Sequence, residues 1–281
     1  MGRIRLGFRF AGASWRIVRG EPSLVAFPLL SGAFAIAYTL LVVLPIGVGG
    51  FLAIGDANWL GWVLLALLLF GGSIGATFFG VAAAHNAAEA MDGRDPTLGD
   101  GLRVARSRLG VIIQWALVSA TVGLVLQILA DKLGGIGGAL VQGLGGLAWG
   151  IASFFALPIL ALEGLGPFDV LRRSAGVVRE RWGESLAGNA AIGVVSLIGI
   201  LLALALIIPG AIVWSDGTAA AGIPLVVIGL GVLFVTLVVS QIVGAVFRVV
   251  VFRFATTGAV APGFDATELE QVFRPRRGGR A

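Results

Sequence analysis

The sequence predicts an all-α membrane protein, a polytopic bundle of six transmembrane helices with three amphipathic helices along its cytoplasmic face. Three observations carry this expectation. Six stretches, 22–55, 57–84, 109–130, 133–162, 185–215 and 217–247, contain no Asp, Glu, Lys or Arg. Each exceeds the roughly 20 apolar residues that a helix needs to cross a bilayer. The chain is 58 % hydrophobic and 12 % charged, with a mean hydropathy of +1.00, against roughly 25 % charged in ordinary soluble domains. Finally, the remaining charges sort by side. The N-terminal segment, the second and fourth gaps and the C-terminal segment hold 5, 4, 4 and 6 basic residues, which is 19 of the 20. The other gaps hold only Asp56, Asp131 with Lys132, and Asp216. The bias of Lys and Arg toward the inside places both termini in the cytoplasm, and the expected location is the plasma membrane.

Residues 3–19 predict the first amphipathic helix. Ile4, Phe8, Ala11, Trp15 and Val18 recur at helical spacing, and Arg5, Arg9, Arg16 and Arg19 follow one position later, about 100° round the helix. Such a helix lies in the interface with its arginine heads at phosphate level. Gly20-Glu21-Pro22 ends it, and span 1 is expected at about 24–48 as an uncleaved first crossing. Span 2 is expected from Trp59 to Ala84, its helix continuing to Met91, followed by a turn at MDGRDP. Thr97 with Asp100 makes a capping-box start for the second amphipathic helix. There Leu98, Leu102, Ala105 and Leu109 share one face, and Arg103, Arg106 and Arg108 avoid it. Spans 3 and 4 follow at about 110–130 and 139–162. The third amphipathic helix is PFDVLRRSAGVVRERW, with Pro167 suited to its first turn. Its predicted apolar stripe is Phe168, Leu171, Ala175, Val178 and Trp182, opposite Arg172, Arg173 and Arg179, with Arg181 at its end. Span 5 is expected at about 185–208, then an outer loop PGAIVWSDGTAAAG, then span 6 at about 223–247. The tail carries an Asp265 cap, Glu268 and a Phe264/Leu269 staple, predicting a short helix over 266–273.

One amphipathic helix followed by two spans occurs three times, a possible threefold internal repeat with an offset of 73 between the second and third units. The organisation is therefore one membrane domain, 1–263, and a cytoplasmic tail, 264–281.

Chemistry is sparse. No cysteine is present, which removes disulfides and thiolate sites. His85 is the sole histidine, and Glu89 one turn on supplies too few ligands for a metal. Walker, Ser/His/Asp and dinucleotide patterns are missing, so neither enzyme activity nor a cofactor is expected. The sequence pI is about 11.1, yet the arginines flank membrane spans, where anionic headgroups explain them better than nucleic acid. Arg5, Arg9, Arg16, Arg19, Arg103, Arg106, Arg108, Arg172, Arg173, Arg179 and Arg181 are thus the headgroup candidates. Gln114, Gln127, Gln142, Asn189 and Gln241 are the polar groups in or near spans, most simply bonded to neighbouring helices. Arg248, Arg253 and Glu163 sit at span ends, where ion pairs or headgroup contacts are expected. Gly71-xxx-Gly75 and Gly146-xxx-Gly150 suit close helix packing, within the bundle or in a homo-oligomer. Pro167, Asp169 and Arg172 match the proline, acid, base spacing of mitochondrial carriers, but only once and after an even-numbered span, and helix capping already explains them.

The stretches SWRIVRGEPSLVAFPLLSG, DPTLGDGLRVARSRLG, FFALPILALEGLGPFDVLRRSAGVVRERWGESLAGN and GFDATELEQVFRP resemble an uncharacterised family of prokaryotic six-span integral membrane proteins, a domain of unknown function. The third is distantly similar to the membrane domain attached to some glycerophosphodiester phosphodiesterases, whose catalytic domain is absent here. The resemblance implies topology and no reaction. The expected function is a non-catalytic membrane protein acting on inner-leaflet lipid or on partner proteins. The alternative is a transporter of an apolar or lipid-like substrate, since ionisable groups that would couple ions are missing from the span cores.

Overall fold

The computed structural model describes residues 21–54, 58–182, 190–215 and 217–260. Among these residues the fold is helical, and six helices are long and apolar enough to cross a membrane. Span 1 comprises α1 (Pro22–Tyr38), a π turn at Thr39–Val43 and α2 (Leu44–Ile54). Span 2 is α3 (Asn58–Met91), ending where the sequence placed it. The amphipathic α4 (Leu98–Ser107) leads directly into span 3, α5 (Leu109–Leu133). Span 4 is built from α6 (Gly135–Leu140), a π turn at Val141–Gly145, α7 (Gly146–Ala152) and α8 (Ala156–Leu162). The amphipathic α9 (Pro167–Trp182) precedes span 5, α10 (Ala190–Ser215), and span 6, α11 (Ala219–Thr257). The α4–span 3–span 4 order therefore recurs as α9–span 5–span 6. Residues 3–19 with Arg5, Arg9, Arg16 and Arg19, Asn189 and the tail helix over 266–273 lie outside the described residues, as does the Arg181 side chain.

Burial is uneven along the bundle axis. The core gathers at the basic end, the end bearing Glu21, α4, α9 and Thr257. There Leu24 and Phe27 of span 1, Val81 of span 2, Phe155 and Ile159 of span 4 and Val246 to Phe252 of span 6 meet. Toward the other end apolar side chains face outward: Leu41 is 76 % exposed and Ile136 83 %. Span 1 buries none of its most apolar stretch. A bilayer accounts for this, because lipid tails are as apolar as leucine and leave no hydrophobic drive to cover it.

Span 2 is the hub, packed against spans 1, 3, 4 and 6 and α4. Glycine sets its approach to span 1. A Cβ on Gly71 would enter the Tyr38 ring and one on Gly75 the Phe34 ring, so this motif packs within the chain. Gly146 and Gly150, by contrast, face open space. Tyr38 donates its hydroxyl to the Leu67 carbonyl at 3.0 Å. Spans 5 and 6 form the most extensive pair, with Gly222 close enough that a Cβ would stand 2.6 Å from the Trp214 nitrogen. This contact corrects the expected outer loop at 209–222. Residues up to Ser215 and from Ala219 are helical, because small residues let the two helices run together to their tips. Pro209 is accommodated inside α10, as membrane helices allow when neighbours satisfy the freed carbonyl.

Span 4 breaks at Ser153–Phe155, contrary to the continuous helix expected. Pro158 is the cause: it has no N–H for the Phe154 carbonyl, and its ring crowds that carbonyl. The buried Ser174 hydroxyl of α9 accepts from the Phe155 N–H at 3.2 Å, tying the break to the amphipathic helix. The π turn of span 1 likewise lies just before a proline, Pro45, whose missing N–H leaves the Leu41 carbonyl inside that turn.

The packed face of α9 also differs from the predicted stripe. Pro167, Val170, Ser174 and Val177 are buried, whereas Phe168 is 70 % exposed and Ala175 is exposed. At 100° per residue the apolar arc is about 180° wide. Half of it seats on spans 3, 4 and 6, and the other half, with Phe168, borders the arginine face. In α4 the predicted face holds: Ala105 is buried and Leu98 and Leu102 pack on the core, joined by Gly101. Leu109 is exposed and belongs to span 3.

Candidate binding cleft at the basic end

The charged groups of the basic end fall into two classes, those neutralised by one another and those left open. Arg253 of span 6 donates to the Ala88 carbonyl at 2.9 Å and pairs with Asp92 at 2.6 Å. The Ala88 carbonyl, which also accepts the Asp92 N–H at 3.3 Å, thus ties the end of span 2 to span 6. Asp92 also pairs with Arg94 at 2.9 Å, and Arg94 pairs with Glu89. Arg173 pairs with Glu163 at 3.2 Å across the turn from span 4 to α9. As expected, then, Arg253 and Glu163 form ion pairs.

Asn86 pins three segments together. Its side chain is fully buried and its amide donates to the Ser23 hydroxyl at 3.0 Å and the Thr97 carbonyl at 2.9 Å. The capping box is complete: the Thr97 hydroxyl and backbone N–H both donate to the Asp100 carboxylate, at 2.6 and 3.0 Å. These two bonds, the hydroxyl's first, hold the Asp100 carboxyl below its usual range, and Arg103 adds to them. Glu21, at the start of span 1, moves the other way: desolvation and then the Asp95 charge raise it.

The headgroup candidates separate on this frame. Arg103 and Arg172 are 78 % and 84 % exposed and pair with Asp100 at 3.0 Å and Asp169 at 3.7 Å, three positions earlier on the same helices. Arg106 and Arg179 are exposed. Arg108 is half-buried against the Gly164 turn, where a Cβ would collide with its guanidinium. Arg173 is 44 % exposed and paired. Four of these arginines are therefore exposed toward a headgroup layer, Arg103 and Arg172 with an exposed pair on their own helix, and two serve the fold.

The amides divide similarly. Gln142 of span 4 donates to Gln127 of span 3 at 2.7 Å, and Gln127 donates to Asp131 at 3.1 Å, so this pair glues two helices. Gln114 is exposed on span 3. Gln241 differs, because it lines a cleft. His85 is half-buried, and among the described residues no three His, Cys, Asp or Glu side chains converge.

That cleft, about 230 Å³, lies between spans 1 and 6 with span 2 as its floor. Phe27, Phe79 and Leu157 supply apolar walls; Ser31, Gln241 and Arg248 are its polar groups. Side chains on a helix lean toward its N-terminus, which for span 6 points away from the basic end. Arg248 follows that lean. One of its Nη atoms lies 3.6 Å from where a Cβ on Gly244 would stand, and its guanidinium is 6.0 Å from the centre of the Phe154 ring. No carboxylate among the described residues pairs with it. Sequence reasoning assigned Arg248 to a helix end. What sets it apart is not local: Arg253, five residues on, takes Asp92 of span 2, whereas Gln241, Gly244 and Ala245, on the Arg248 side of the helix, bring no acid.

Comparison with curated proteins and with solved structures returns no match. A family model does match, over residues 60–262, which takes in spans 2 to 6, both described amphipathic helices and Arg248. The chain belongs to the family of unknown function DUF6159.

Proposed function

We propose that this protein is a non-catalytic, multi-pass plasma-membrane protein that gathers anionic lipid at the inner leaflet, with both termini cytoplasmic. The observation that carries the reading is the set of open arginines, Arg103, Arg106, Arg172 and Arg179, on two helices at one end of the bundle. Phe168, 70 % exposed beside them, supplies an apolar edge of the kind that seats an in-plane helix in the headgroup boundary. Each arginine near an anionic surface contributes about 1 kcal/mol. The orientation rests on the Lys/Arg asymmetry of the sequence. Arginines at this surface are also the features that would meet an acidic protein partner.

Boundary-lipid selectivity tests the reading. In reconstituted protein, spin-labelled phosphatidylglycerol should be enriched over spin-labelled phosphatidylcholine, and an Arg103→Gln, Arg106→Gln, Arg172→Gln, Arg179→Gln variant should lose that preference. Equal immobilisation of both lipids by the unaltered protein would sink it. No specific observation favours transport, since the cleft involves only residues 24–31, 76–83, 157 and 241–248, all in the basic-end halves of their spans.

A further inference from the structure

We propose that the Arg248 cleft holds one anionic phospholipid, its phosphate on the Arg248 guanidinium and its glycerol-ester region toward Gln241 and Ser31. The inference narrows the lipid reading above from a surface preference to a single site. Three features support it.

The first is charge. Arg248 is half-buried and points along the membrane axis into the cleft, and among the described residues it meets the Phe154 ring and no carboxylate. A guanidinium taken from water in this way needs an anion to offset the desolvation, and its planar fork matches phosphate. The second is depth. Span 6 has 39 residues and is about 58 Å long at 1.5 Å per residue, whereas a hydrocarbon core is about 30 Å thick. Counted from Ala219, that core ends about 20 residues in, close to Gln241. Arg248 then stands about 10 Å farther along, within the headgroup layer. The charge is thus at phosphate level, and a hydrogen-bonding amide is at the ester boundary. Neither Gln241 nor Ser31 is bonded to another described residue, so both are open to ester oxygens. The third is size and lining. A space of about 230 Å³ is below the roughly 300–1,000 Å³ of pockets that enclose a whole drug-sized ligand. It suits a headgroup and glycerol, while the acyl chains stay in the bilayer against apolar walls such as Phe79 and Ile242.

The test uses the full chain, delipidated in detergent, with native mass spectrometry after adding phosphatidylglycerol or phosphatidylcholine of identical acyl chains. One phosphatidylglycerol should stay bound at collision energies that strip phosphatidylcholine. Arg248→Gln should weaken that binding about tenfold or more, the usual scale for losing a charge-assisted hydrogen bond. Ala245→Leu should do the same by filling the cleft with the charge intact, and it decides the matter should Arg248→Gln fail to fold. Arg172→Gln with Arg179→Gln should keep the tight lipid while lowering boundary selectivity. Loss of selectivity with the tight lipid retained therefore separates the surface reading from this one. The proposal is overturned if either folded cleft variant keeps the tight lipid, if phosphatidylcholine is held equally well, or if inorganic phosphate displaces the lipid at equal concentration.

Discussion

Two glycines in the same short helix should respond oppositely to the same substitution. In α4 a Cβ at Gly99 meets only the Thr97 hydroxyl oxygen, at 3.6 Å, an ordinary contact. At Gly101 it would stand 2.7 Å from Asn86 Oδ1, 2.7 Å from Phe27 Cζ and 2.8 Å from the Ala82 carbonyl oxygen. The first two neighbours are fully packed, and the third is the backbone of the hub helix, so none can yield cheaply. Alanine is favoured over glycine in a helix by about 1 kcal/mol at both positions. That gain cancels in the comparison, leaving the overpacking cost at Gly101, about 1–3 kcal/mol. Gly99→Ala should therefore stabilise by up to about 1 kcal/mol, and Gly101→Ala, its gain offset by the overpacking, should be net destabilising by up to about 2 kcal/mol. Reversible unfolding in mixed micelles, followed by tryptophan fluorescence, measures both. Equal shifts of the same sign would refute the account of how α4 seats on span 2, and with it the placement of the arginines it carries.

Other features make independent predictions. Ser174→Ala removes the hydroxyl that accepts from the Phe155 N–H and should cost about 1–2 kcal/mol, read as a lowered unfolding midpoint with unchanged helicity by circular dichroism. Arg253→Gln removes both the Ala88 carbonyl bond and the Asp92 pair, for about 1.5–3 kcal/mol; Arg253→Lys should recover only part, since it cannot serve both acceptors as a fork. The depressed Asp100 carboxyl contributes stability that is present above its unfolded-state pKa and is lost as pH falls through its lower folded-state value. Asp100→Asn should accordingly flatten the acid limb of a stability–pH curve below about pH 4 and leave the neutral region parallel. Glu21 has the opposite sign. Its raised folded-state pKa penalises the fold once pH rises above the unfolded-state value, with the penalty complete above the folded-state one. Glu21→Gln should thus stabilise at neutral pH and have no effect in acid.

The number of spans, their limits at Met91 and Leu162 and the capping box at Thr97 were legible because each depends on local sequence: charge-free length, turn residues, a side chain reaching its own helix. Departures arise where a second helix decides. Pro158 announces a break, but only the arrival of Ser174 makes the broken backbone tenable. The α9 stripe was read as one face because Phe168 and Val170 are both apolar; which of them meets protein depends on how α9 seats on spans 3, 4 and 6. Arg248 and Arg253 are both arginines near the end of one helix, and nothing local distinguishes them. The difference is that Asp92, on another span, reaches one and not the other.

The spans also differ in continuity, with a mechanical consequence. Span 6 is one uninterrupted helix of 39 residues, whereas span 1 contains a π turn and span 4 a π turn and a break. Interrupted helices can shorten or bend at their irregular turns; a continuous one answers a change in bilayer thickness by tilting. Over about 58 Å, a tilt of about 5° displaces one end by about 5 Å. Span 6 is thus the lever of the bundle. Arg248 rides on this continuous helix, and Ser31 on the basic-end segment of a jointed one, ahead of its π turn.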